Sequence, residues 1–329
     1  MKLGTINHNG RRELIAAYGD DKAVLLRPLL ADAGLPDAGL SLNDFIDAGA
    51  AAMDAARAIL ARTDLPQAAV LAVEGLDWLP PQPRPSKILG VAFNNMGIRN
   101  AAFHDPGVPN FFLKAPSSLT GHGKPIVIRK DYGETIPELE LAGVIGKRLK
   151  EATVEEAREA IFGFGIINDI TSHGLKFQLD SISTARSADL LRPFHLAWRR
   201  QHGEEDRDVH YVYHARSKAS DTFGPMAPWL TTADEVENPN NLAVTGWYNG
   251  EVFAQDSTSN YRFKVEEVVA EASRYFTLEP GDMFCFGTSA RGNEKFPHGH
   301  RSVNLHEMQG EVAIEIAGLG RLSNPVILE

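Results

Sequence analysis

The chain has 329 residues, 43% of them hydrophobic and 23% charged, with 43 acidic against 33 basic residues and a formal net charge of -10. That is the composition of a globular protein, and without a long basic run it excludes a surface that tracks nucleic-acid phosphates. Nowhere do about 18 apolar residues run together, and the first ten residues lack the apolar segment of a secretory signal, so a cytoplasmic protein without a membrane segment is expected.

At this length the chain exceeds the usual size of one core, and two domains are expected. Residues 2–7, 13–18 and 23–26 read as strands separated by Asn9-Gly10 and Gly19-Asp20-Asp21 turns, which predicts a small antiparallel sheet. Ser41 then opens an alanine-rich helix to about residue 61, with Asp44 in the first turn where it favours the helix dipole. Prolines 80, 81, 83 and 85 can continue neither a helix nor a central strand. They divide the chain into an accessory domain at 1–79, a linker at 80–86 and a larger domain at 87–329.

After a strand over 87–93, the polar stretch 94–110 is long enough to form a lid and carries His104. Next comes the most informative stretch. In a strand, alternate side chains share a face, so Glu138 and Glu140 point one way while Leu139, Leu141 and Ile145 point the other. Two neighbouring carboxylates in an apolar strand call for a cation between them. Their Cα atoms, about 6.6 Å apart, allow both to reach one ion. Asp169 interrupts a second buried-looking strand, and three acids without a nearby Cys or His pair suit a hard, oxygen-preferring cation better than zinc. A half-exposed strand whose acids pair with Lys or Arg gives the same pattern. Between the two strands, Thr153 and Glu156 have capping-box spacing.

Further on, the dense mixed charge of 198–208 reads as a solvated insertion, Asn249-Gly250 signals a hairpin, and a helix over 265–276 precedes strands at 283–286 and 311–316. Cys285, the single cysteine, lies in an apolar run and reads as a buried structural thiol. His298, His300 and His306 lack an acid or Cys at tight spacing, and the surrounding Gly and Pro suggest an exposed loop.

Several motifs recur in a fixed order: Phe112-Leu113-Lys114-Ala115-Pro116-Ser117-Ser118, the acidic strand from Glu138 to Lys147, Asn168-Asp169-Ile170-Thr171-Ser172, Lys218 before Asp221-Thr222-Phe223-Gly224-Pro225, Pro280-Gly281-Asp282 and Gly287-Thr288. In this succession the chain resembles the fumarylacetoacetate hydrolase family. The resemblance implies an α+β fold, with a small mixed N-terminal domain and a C-terminal mixed β-roll or β-sandwich catalytic domain, commonly dimeric. It implies Mg²⁺, Mn²⁺ or Ca²⁺ held by Glu138, Glu140 and Asp169, Lys218 as the active-site lysine, and Thr288, Ser118 and His173 on the substrate. Departures from the pattern are clear. The family histidine that follows the first strand of the larger domain is replaced here by Asn94-Asn95-Met96, and His173 stands where relatives carry arginine.

The expected activity is metal-dependent hydrolysis of a carbon-carbon bond in a small dioxo or oxo acid, with His104 as the water-activating base and His122 or His173 as substitutes. Isomerisation, decarboxylation or hydration on the same platform are alternatives, because a divalent ion stabilises the developing negative charge common to all of them. A binding or assembly protein that has lost catalysis is the third.

Overall fold

The strand Leu139–Ile145 is buried along its whole length, and the rest of the fold is laid out around it. Leu139, Leu141 and Ile145 enter one apolar cluster, whereas Ala142 and Val144 enter another on the opposite face. The strand pairs antiparallel with Ile161–Asn168 on one side and Met283–Thr288 on the other. In this computed structural model, which describes residues 1–100, 105–184, 209–288 and 291–329, these strands belong to an 11-stranded sheet.

Towards one edge, Met283–Thr288 runs parallel to Ile88–Ala92, which pairs antiparallel with Asn110–Lys114. In the other direction, Ile161–Asn168 leads to Leu230–Thr232 and then to Lys2–His8, Arg11–Tyr18, Lys22–Leu25 and Val70–Ala72. The small N-terminal sheet predicted from the turns is therefore present, but as one wing of the large sheet. The division into 1–79, 80–86 and 87–329 remains a proposal; the sheet and the apolar cluster of Leu3, Phe45, Val144 and Cys285 run across it.

A second sheet of five strands, from Glu251–Ser257 through Ala243–Tyr248, Gly310–Ile316 and Gly320–Leu328 to Ile126–Ile128, packs with the first cluster. The helix Val265–Tyr275 adds Val268, Val269 and Ala272 to that core. Mostly sheet with few helices, the architecture is α+β.

Local chemistry explains the element ends. Ser41 caps its helix by accepting from the Asp44 N–H, and Thr153 and Glu156 form the expected capping box. The alanine-rich helix is, however, two helices, Leu42–Asp47 and Gly49–Leu60. Gly49 opens the second of them at φ +61, a left-handed conformation that breaks the continuity of the helix and that glycine adopts without strain. Asn249 and Gly250, both at positive φ, make the predicted hairpin turn. The charged stretch 198–208 lies outside the described residues.

Phe45 is fully buried and meets the Phe162 ring edge-on at 6.2 Å, joining the N-terminal helices to the central strand Ile161–Asn168. Phe45→Ala should therefore cost about 3–5 kcal/mol of stability. Urea unfolding checks this, and a loss under about 1 kcal/mol would mean that this contact contributes little to the shared core.

Candidate active site

Antiparallel pairing brings the three acids together. Leu139 lies opposite Asn168, so the residues flanking that pair, Glu138 and Asp169, meet at the end of the ladder. The Asp169 N–H donates to the Glu138 carbonyl at 3.0 Å, and the Glu138 N–H donates to the Asn168 side-chain oxygen at 2.9 Å. Carboxylate oxygens of Glu138, Glu140 and Asp169 lie within 4.8 Å of one another.

Two lysines answer this charge. Lys218 Nζ donates to Glu138 Oε2 at 2.6 Å and to Asp169 Oδ2 at 2.5 Å, and it also lies 4.7 Å from the centre of the Phe112 ring. Lys114 Nζ is 2.7 Å from Asp169 Oδ1, with both side chains fully buried. Its N–H groups are directed at the carbonyls of Lys218 and Phe223, so it meets Asp169 as an ion pair without a well-aligned hydrogen bond.

These surroundings push the acids apart. Burial alone would raise Asp169, but Lys114 and Lys218 outweigh it and hold the carboxyl below its usual value. Glu140 is raised well above the usual range by burial first, then by Asp169 and Glu138; Lys218 and the Gly287 N–H, which donates to Glu140 Oε2 at 2.8 Å, only partly compensate. For Lys218, burial pulls the pKa down, and the carboxylates of Asp169, Glu138 and Glu140 together raise it above that of an ordinary lysine. Gly287 is itself constrained: at φ +119, with the Asn94 Cβ 2.8 Å from where its own Cβ would stand, no larger residue fits.

A cavity of about 230 Å³ lies over the acids, its wall including Lys218, Thr288, His173, Lys176, His214 and His300. Thr288 is anchored there by its oxygen, which accepts from the Leu139 N–H at 3.2 Å. Burial lowers the pKa of each of the three histidines, His300 to about 4, so all are neutral bases near pH 7. His173 Nδ1 lies 3.6 Å from Glu134 Oε2.

The donor set fits a hard divalent cation: all three candidate ligands are carboxylates, and Glu140 lacks the positive charge that would keep it ionised. Glu138, Glu140 and Asp169 would hold such an ion, with Lys114 fixing Asp169 from behind.

Of the residues singled out in the sequence, Glu138, Glu140, Lys218, Thr288 and His173 line one cavity, and Asp169 adjoins it. Ser118 is not brought there; fully buried, it donates its hydroxyl to the Ala115 carbonyl at 2.7 Å and closes a turn. His104 lies outside the described residues. His122 belongs to a different hollow, beside Asp77 and Trp78, which removes it as a substitute base. The exposed loop expected at 298–306 is corrected at His300, which is 2% exposed because Asn304 and Leu305 tie the segment to Thr135. Sequence reasoning gave no role to Lys114, Lys176, His214 or His300. Lys114 carried a usable signal: a cation ending an apolar strand needs a buried partner as much as Asp169 does.

The acid-walled cavity at the end of a mixed sheet, with two lysines set among the carboxylates, has the donor set for a hard cation. Residues 91–327 match the family described as fumarylacetoacetate (FAA) hydrolase C-terminal, and the chain belongs to that family of enzymes. Oxaloacetate tautomerase fahd2, mitochondrial, of Xenopus laevis is 27% identical over 294 residues, 89% of this chain and 80% of its own length. The 4-hydroxyphenylacetate degradation bifunctional isomerase/decarboxylase of Salmonella dublin is 28% identical over 228 residues, 69% of this chain but only 43% of that protein. Among solved structures, maleylpyruvate hydrolase from Sphingobium sp. SYK-6, in complex with manganese (II) ion and pyruvate, superposes with a TM-score of 0.69 at 25% identity, covering 100% of this chain and 99% of that one.

The raised Glu140 carboxyl gives a signed pH dependence. Without metal, its neutral form adds stability that is fully present below the unfolded value near 4.5 and is lost as pH rises through the higher folded value. Glu140→Gln should therefore raise the melting temperature of the metal-free protein at pH 8, shift it little at pH 4, and weaken Mn²⁺ binding at least about tenfold by removal of a charged ligand. Thermal melts at both pH values and calorimetric titration check this; unchanged Mn²⁺ affinity would remove Glu140 from the ligand set.

Proposed function

We propose that this protein is a divalent-metal enzyme that moves a proton next to the oxo group of a small 2-oxo acid, as a tautomerase or isomerase. The observation that carries this reading is the convergence of Glu138, Glu140 and Asp169 within 4.8 Å beside Lys218. Mg²⁺ or Mn²⁺, or Ca²⁺, bound there would polarise neighbouring oxo and carboxylate oxygens. Lys218 is held charged among the acids and is placed to donate to the oxygen on which negative charge develops. Thr288 orients the same end of the substrate from the cavity wall.

Proton transfer at carbon falls to a neutral imidazole. His104, from its position in the sequence, keeps that assignment as a proposal, and His173 backed by Glu134 is its substitute within the described residues. The relative from Xenopus laevis, matched over most of its length, is named a tautomerase, which favours proton transfer as the first reading. Carbon-carbon bond hydrolysis is the second, favoured by the likeness to maleylpyruvate hydrolase. It needs one step more, activation of a water by the same base.

A homodimer is supported by exposed Phe93, Leu113, Phe177, Leu179 and Tyr213, apolar side chains that an interface would cover. A cytoplasmic setting rests on the sequence; among the described residues no helix is long and apolar enough to cross a membrane.

Incubation of the manganese-loaded enzyme with oxaloacetate and with acylpyruvates in D₂O separates the readings. Proton transfer predicts metal-dependent exchange at the carbon beside the oxo group with the skeleton intact, followed by NMR. Two carboxylic fragments from an acylpyruvate would instead establish hydrolysis, and inactivity on every substrate would overturn the proposal. Lys218→Met should lower kcat by about 10²–10³-fold, the range for loss of one oxyanion donor, without weakening metal binding. Full recovery of that variant at high metal concentration would reduce Lys218 to a counter-charge for the acids.

A further inference from the structure

Lys176 is a half-buried cationic wall residue to which the proposed chemistry gives no task. It sits at the end of the helix His173–Gln178 and lines the cavity together with Glu138, Lys218 and Thr288. Among the described residues its ammonium has no carboxylate at ion-pair distance and donates no hydrogen bond; its close contact is the adjacent Phe177 ring, 5.4 Å from Nζ. Glu138 attracts it only from a distance, while Lys218 repels it and burial weakens its hydration. An ammonium in that position is stabilised by an anion that enters the cavity.

Charge counting says which anion. With Glu140 ionised, as a metal-binding carboxylate must be, Lys114 and Lys218 leave Glu138, Glu140 and Asp169 with one uncompensated negative charge, and Lys176 brings the group to neutrality. A divalent ion among the acids then leaves two positive charges around the ligand. A monocarboxylate cancels one of these and a dicarboxylate cancels both. Arg301 also reaches the cavity but is exposed at its mouth, where water screens it.

We propose that Lys176 selects dicarboxylic 2-oxo acids by pairing with the carboxylate remote from the oxo group. This rests on the function proposed above, since the first carboxylate and the oxo oxygen are placed at the acid cluster. Lys176 is thus a specificity residue, and its effect belongs in binding.

Calorimetric titration of the full chain in saturating Mn²⁺ tests it, with pyruvate as the one-carboxylate ligand and oxaloacetate, 2-oxoglutarate and 2-oxoadipate as dicarboxylates of increasing length. The unmodified protein should bind one of the dicarboxylates at least about tenfold tighter than pyruvate, a modest value for one charge-assisted contact. Lys176→Met should abolish that preference while moving pyruvate affinity less than about twofold, and Lys176→Arg should restore most of it. A preference that survives in Lys176→Met, or no preference in the unmodified protein, overturns the inference and leaves the metal reading standing. Failure of pyruvate and all three dicarboxylates to bind the manganese-loaded protein takes down the proposed function and this inference with it.

Discussion

A carboxylate with no access to water must be matched by cations, and Asp169 imposes that condition on this fold. Fully buried at the end of Ile161–Asn168, it is flanked by Lys114 from the edge strand Asn110–Lys114 and by Lys218 from the short helix Arg216–Ala219. Removal of one partner from such a group leaves an uncompensated charge and typically costs about 3–5 kcal/mol. Three elements far apart in sequence are thereby held in one arrangement. The backbone carbonyls of Lys218 and Phe223 accept from Lys114, so the same ammonium that balances Asp169 also fixes the segment carrying Lys218.

Glu140 shows the other side of that balance. It shares the site with Asp169, yet its pKa moves in the opposite direction because neither lysine is paired with it and a single backbone N–H cannot offset burial. Carboxyls pushed apart by their environments are a recurring property of reaction sites. Here the pattern points to a place where positive charge is needed. Cation binding and the charge state of the cavity are therefore one question.

The strand bearing Glu140 serves two purposes on one face. At its start the side chains are acids facing a cavity; further along, Ala142 and Val144 on the same face pack against residues of the N-terminal wing. Helices Leu42–Asp47 and Gly49–Leu60, together with the strands from Lys2 to Leu25, cover that apolar half. The N-terminal quarter, which carries no constellation of chemical groups, thus supports the strand on which the site stands.

Local rules were enough for much of this protein. Strand alternation put Glu138 and Glu140 on one face, the capping residues and the Asn249-Gly250 turn marked element ends, and the ordered motifs pointed to the family; each is a property of residues close in sequence. Local pattern also failed locally, at Gly49, where one positive φ turned a helix into two. What required the tertiary structure was pairing at long range: Lys114 with Asp169, the N-terminal strands with the central sheet, and His300 with the cavity, drawn in by contacts between 304–305 and Thr135. A sequence says that a buried charge needs a partner, because desolvation does not depend on fold. Which partner it receives depends on where distant strands end in space, and only the register of the completed sheet decides that.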